Sequence, residues 1–163
     1  MAAGSLPVDL NVQEVMQVLD PLVRNNMRPI DGVAEVLESI ELPKSVVSNS
    51  DIDYVEEALD KFGWTGHFQK PVFSAESVVQ GKPSPLVYQL ALETVGASQS
   101  EVITVEDSYT GVQAALAAGI KTIGFLGGSH ITPDHAAKLE SLGVAAVAKD
   151  HNHLQAVIAE MLS

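Results

Sequence analysis

Three short polar clusters have the residue types and spacing for chemistry. Glu106 and Asp107 are adjacent carboxylates at the end of an apolar run, ITVED. Like charges about 4 Å apart repel by about 1 kcal/mol in water and about 4 kcal/mol at an effective dielectric of roughly 20. A hard divalent cation with oxygen ligands, Mg²⁺ above all, would compensate that repulsion. The helix that starts at Ser108 would add to it. A helix cap needs only one acid, and this site has two, which favours the metal. Lys82 lies in GKPSP, where Gly81 and two prolines stiffen the loop. An ammonium held in that way suits a phosphoryl oxygen, although most lysines are simply solvated. Ser48-Asn49-Ser50 pairs hydroxyls with the free N–H groups of a helix start, an arrangement that binds anions. Taken alone, that stretch is accounted for by capping.

Other polar features carry less. His151 and His153 flank Asn152, and His130 and His135 lie five apart around a proline. Neither spacing is that of a helical zinc pair, so surface or capping roles are expected. Gly127-Gly128 belongs to no phosphate-loop motif and reads as a turn.

The elements that must position these groups alternate. Leu10 to Asn26 has apolar residues at helical spacing, with Pro21 placed to break or kink it. Asp31 is a candidate cap for a helix over 32–40. Ser45, Val46 and Val47 form a short strand that stops at SNSD. The helix IDYVEEALDKF follows, capped by Ser50 or Asp51 and ended by Gly63. PVFSAE reads as a strand, and LVYQLALETVG as a helix with Pro85 in its first turn. EVITVE, KTIGFLG and GVAAVA read as strands, separated by SYTGVQAALAAG and PDHAAKLESLG as helices, and HNHLQAVIAEML closes the chain. Short apolar strands alternating with helices predict an α/β, Rossmann-like three-layer α/β/α fold with a mostly parallel sheet. In such sheets the site lies at the carboxyl ends of the strands.

Composition bounds the rest. The 163 residues include 46% hydrophobic and 18% charged, a globular mixture with enough chain for one core. The net charge of −12 argues against nucleic acid and anionic membranes as partners. The absence of cysteine excludes disulfides, thiolate zinc and cysteine nucleophiles. Without a basic, apolar leader or a spanning run, the expected address is the cytoplasm.

In order, VVSNS, GKPSP and VEDSYTGVQAALAAG resemble the haloacid dehalogenase superfamily, and within it the phosphatase and β-phosphoglucomutase-like branch. The resemblance runs from about Arg28 to the C-terminus. It implies that the Ser48 hydroxyl and the Asn49 N–H hold a transferring phosphoryl group. It implies further that Lys82 neutralises phosphate charge, that Glu106 and Asp107 hold Mg²⁺, and that small phosphorylated metabolites are the substrates. The reaction of that superfamily passes through an aspartyl-phosphate.

One departure matters. The superfamily begins with a strand ending in DxDxT, and this sequence has no such motif. Val8-Asp9-Leu10-Asn11 is the nearest stretch, with neither a preceding apolar strand nor a second aspartate. Residues 1–27 then read as a helical remnant of a cap, and 28–163 as the α/β core of a member that starts late. The absent strand would lie between the one ending at Ser48 and the one ending at Glu106. Its loss predicts exposed strand edges and an apolar slot, filled by self-association or strand exchange. An inactive phosphatase-type domain is therefore expected, with a non-catalytic binding or oligomerising module as the alternative. A flavodoxin- or receiver-like domain would not explain the three motifs in order.

Overall fold

The computed structural model describes residues 20–69, 71–128, 131, 132 and 134–163. Residues 20–26 are helical (α1), with Pro21 in the first described turn. The rest of the helix expected from Leu10 lies outside the described residues. Then follow α2 (Val33–Ser39), β1 (Val47–Ser48), α3 (Ile52–Lys61), β2 (Phe73–Ser74), α4 (Leu86–Val95), β3 (Ile103–Glu106), α5 (Tyr109–Ala117), β4 (Lys121–Phe125), α6 (His135–Ser141), β5 (Ala146–Ala148) and α7 (His151–Leu162).

All the pairings are parallel, but they form two sheets, β1–β2 and β3–β4–β5. Among the described residues no strand joins them. The registers bring Ser48 level with Ser74 in one sheet and Glu106 level with Gly124 in the other, so both sheets deliver polar residues at their carboxyl ends. The expected α/β architecture with parallel strands is the one observed.

Alternation on β4 sorts the helices into two layers. Ile123 and Phe125 pack with Val36 of α2 and with Leu154 and Val157 of α7. On the other face, Gly124 leaves room for Leu139 of α6. A second cluster joins Phe73 of β2 to Val87, Tyr88 and Ala91 of α4 and to Ala114 and Ala115 of α5. Small residues on α5 let it lie close to the strands, which keeps its N-terminus at the end of β3.

Several local expectations change. The strands are shorter than their apolar runs, because the flanking residues leave the ladder to enter turns. Asp31 does not cap α2. Gly32 does so with φ 83°, a left-handed conformation that suits glycine. No side chain caps α3, although Asp51 stands at its N-cap. His151, for which a surface or capping role is expected, is buried. Its Nδ1–H donates to the Asp31 carbonyl at 2.7 Å and its ring lies 4.7 Å from that of Phe125. On the surface, Arg24 ties α1 to α3 by bonding Asp20 at 2.8 Å and Glu57 at 2.6 Å.

Candidate active site

The loops after β1 and β3 border one open cavity of about 410 Å³. Ser48, Asn49, Lys82, Glu106 and Asp107 all line it, so the structure brings together every site residue expected from the sequence. Val47, Val105 and Phe125 supply apolar wall, and Ser108 and Thr110 add hydroxyls. Val105 is 40% exposed although it sits mid-strand, and among the described residues β3 pairs on one side only, with β4.

Lys82 crosses the break between the sheets. Its ammonium donates to the Val47 carbonyl of β1 at 2.9 Å and to Oε1 of Glu106 at the end of β3. The side chains are 7% and 8% exposed, so this is a buried ion pair. Burial makes such a pair costly unless its remaining valences are met. Tyr88 of α4 meets one of them by donating its hydroxyl to the same Glu106 oxygen. The Tyr88 ring lies 5.0 Å from the Lys82 nitrogen, within cation–π range. Burial, and then the Glu106 charge, hold the Tyr88 hydroxyl well above the usual tyrosine range, so it stays a protonated donor.

The other Glu106 oxygen points at the start of α5. Ser108 caps that helix by accepting the Gly111 N–H at 3.0 Å, and its hydroxyl lies 3.5 Å from Glu106 Oε2. Ser108, not Asp107, is therefore the cap. A Cβ on Gly111 would stand 2.0 Å from Oε2, so only glycine lets the helix end approach the carboxylate. The Asp107 carbonyl accepts the Nε2–H of His135 at 2.7 Å, which anchors the loop after β3 to α6.

On the opposite wall, the Ser48 hydroxyl accepts the Ser50 N–H at 3.0 Å. The Asn49 carboxamide faces the Lys82 backbone. It accepts the Lys82 N–H at 2.8 Å and donates to the Lys82 carbonyl at 3.2 Å, just before a cis Lys82–Pro83 peptide. The sequence alone does not single out Tyr88 or His135 for the site. Tyr88 sits among the apolar positions of α4, and His135 lies 28 residues from its partner. The proximity of Tyr88 to the GKPSP loop is the one available signal.

The donor set suits Mg²⁺. Asp107 and the Ser48, Ser108 and Thr110 hydroxyls are all hard oxygen donors. Among the described residues no group of three or more His, Cys, Asp or Glu gathers into a metal cage. Mg²⁺ commonly takes one or two carboxylates and completes its shell with water and phosphate oxygens.

The chain belongs to the haloacid dehalogenase-like hydrolase family, whose model matches residues 7–125. The match begins upstream of Arg28, where the motif resemblance starts. The chain is similar to a phosphorylated carbohydrates phosphatase of Thermotoga maritima, 33% identical over 83% of this chain and 61% of that protein. It is also similar to the 6-phosphogluconate phosphatase of Escherichia coli, 26% identical over 74% of this chain and 52% of that one. It thus spans between half and two thirds of the length of these two relatives. A haloacid dehalogenase-like protein of Agrobacterium tumefaciens superposes with a TM-score of 0.87 at 32% identity, covering 98% of this chain and 72% of that one. A family hydrolase of Deinococcus radiodurans, solved with bound phosphate and sodium, superposes with a TM-score of 0.81 at 31% identity, covering 93% and 68%.

The Glu106 environment makes two predictions. Alanine ordinarily favours a helix over glycine by about 1 kcal/mol, yet Gly111→Ala will destabilise the protein in urea unfolding because its Cβ meets Glu106. A more stable variant would contradict the packing. The second concerns pH. The folded state raises the Tyr88 pKa above its unfolded value near 10, so the stability it contributes is complete below that pH and is lost as pH rises beyond it. Tyr88→Phe should flatten the alkaline fall in unfolding free energy, and an unchanged alkaline limb would refute the assignment.

Proposed function

We propose that this chain is a phosphoryl-binding domain of the Mg²⁺-dependent phosphatase or phosphomutase type, directed at small phosphorylated metabolites in the cytoplasm. The observation that carries this reading is the Lys82 ammonium. It lines the cavity, and two protein acceptors, Val47 and Glu106, use two of its three donors. Among the described residues no acceptor takes the third, which would meet a ligand oxygen. The phosphoryl group would take the Lys82 ammonium, the Ser48 hydroxyl and the Asn49 N–H. Asp107 is the carboxylate that would hold Mg²⁺. Glu106, expected beside it as a second ligand, serves in this reading chiefly by fixing Lys82. When bound, the ion offsets negative charge on the phosphoryl oxygens. The phosphate carried by the Deinococcus radiodurans relative and the phosphatase names of the two curated relatives support this reading.

Turnover is a separate matter. Among the described residues, the carboxylates lining the cavity are Glu106, engaged with Lys82, and Asp107, which would be taken up by the metal. An aspartyl-phosphate route needs a further aspartate. We propose that this chain binds phosphate with little or no hydrolysis. An aspartate delivered on an extended segment, between β1 and the exposed Val105 of β3, would complete the site. Self-association or strand exchange is one way to deliver it. A non-catalytic binding or oligomerising role is the alternative.

Calorimetry with inorganic phosphate and Mg²⁺, beside an aryl phosphate assay and light scattering, tests both parts. Phosphate should bind. Ser48→Ala and Lys82→Ala should each weaken it about tenfold or more, the loss expected for a charge-assisted hydrogen bond. Asp107→Asn should remove the Mg²⁺ dependence, and the mass should exceed that of a monomer. Absence of phosphate binding would overturn the site. Hydrolysis abolished by Asp107→Asn would overturn the inactivity, and a clean monomer would overturn the self-association.

A further inference from the structure

We infer that the Asn49 side chain is a positioning residue for Lys82, and that the anion wall after β1 and the cationic loop before α4 act as one unit. This rests on the phosphoryl-binding reading above, but it assigns to Asn49 a role distinct from its backbone N–H. The carboxamide makes two hydrogen bonds to a single residue, taking the Lys82 N–H at 2.8 Å and giving its own N–H to the Lys82 carbonyl at 3.2 Å. That double contact mimics a strand pairing between loops that lie 33 residues apart. No other acceptor serves the Lys82 N–H among the described residues.

The neighbouring packing is shaped to allow the clamp. Gly81 precedes Lys82, and a Cβ there would stand 2.8 Å from Asn49 Oδ1 and 2.8 Å from the Ala75 Cβ. The carboxamide therefore lies against bare backbone, between the loop and the turn at Ala75. Lys82 is then fixed at both ends, its backbone by Asn49 and its ammonium by Val47 and Glu106. A lysine stem has four carbons and loses rotamer freedom when ordered. Fixing its root in advance lowers what a bound anion must order.

Asn49→Ala separates this role from direct binding, because alanine keeps the backbone N–H offered to the phosphoryl group. Without any ligand, the Lys82 amide should exchange with solvent about tenfold faster in the variant, while the amides of β3 and β4 keep their protection. Unchanged Lys82 exchange would overturn the clamp. Inorganic phosphate binding is then measured in four proteins: unmodified, Asn49→Ala, Lys82→Ala and the double variant. Asn49→Ala should weaken binding about tenfold alone and less than about twofold in the Lys82→Ala background, since its effect passes through Lys82. Equal losses in both backgrounds, or none in either, would overturn the inference. Gly81→Ala reaches the same point without removing a polar group and should reproduce the Asn49→Ala pattern. If the unmodified chain bound no phosphate, the phosphoryl reading would fail, while amide exchange would still decide the clamp.

Discussion

The buried pair between Lys82 and Glu106 is the contact on which the rest of this site depends. β1–β2 and β3–β4–β5 share no backbone hydrogen bonds among the described residues, so neither sheet fixes the other through a ladder. The ammonium reaches from the Val47 carbonyl on one to the Glu106 carboxylate on the other. Two charges under one tenth exposed are expensive to desolvate, and removing one partner of such a pair costs about 3–5 kcal/mol. The Tyr88 hydroxyl and the α5 N-terminus meet the remaining needs of the carboxylate. The protein thus places a cation at the cavity wall and anchors it, with one donor left over among the described residues.

The elements around the pair follow from that requirement. α4 brings Tyr88 beneath Glu106 because Val87, Tyr88 and Ala91 form its buried face against β2 and α5. α5 begins close to the carboxylate because Gly111 has no side chain to collide with it. Phe125 joins the opposite layer to the site, lining the cavity on one side and packing on His151 on the other. His135 holds the Asp107 backbone from α6. Each contact reaches across the fold, so the site reports on the packing of both helix layers.

Much of this was legible in the sequence. Strand–helix alternation implied the parallel α/β architecture, and the three polar clusters at strand ends are the ones that meet in the cavity. Partnerships between distant residues were harder to read. Tyr88 lies on an apolar helix face, where periodicity treats it as one more core residue, and only the fold shows its hydroxyl meeting Glu106. Adjacent carboxylates suggest two metal ligands, and the pattern carries no sign that Glu106, the last residue of β3, also bonds Lys82 from a loop 24 residues away. The Asp31 cap failed because Gly32, in a left-handed conformation, takes the N-cap position, and His151 was drawn inward by Phe125 and the Asp31 carbonyl. Neither contact leaves a local pattern.

The most direct test of the account is the coupling between Lys82 and Glu106, measured by urea unfolding of Lys82→Met, Glu106→Gln and the double variant. If the pair holds the two sheets in register, each single change strands a buried group and destabilises strongly, and the double variant recovers at least about 2 kcal/mol relative to the sum. Additive losses, with no recovery in the double variant, would show that the two charges are held independently and that the sheets are joined by something else.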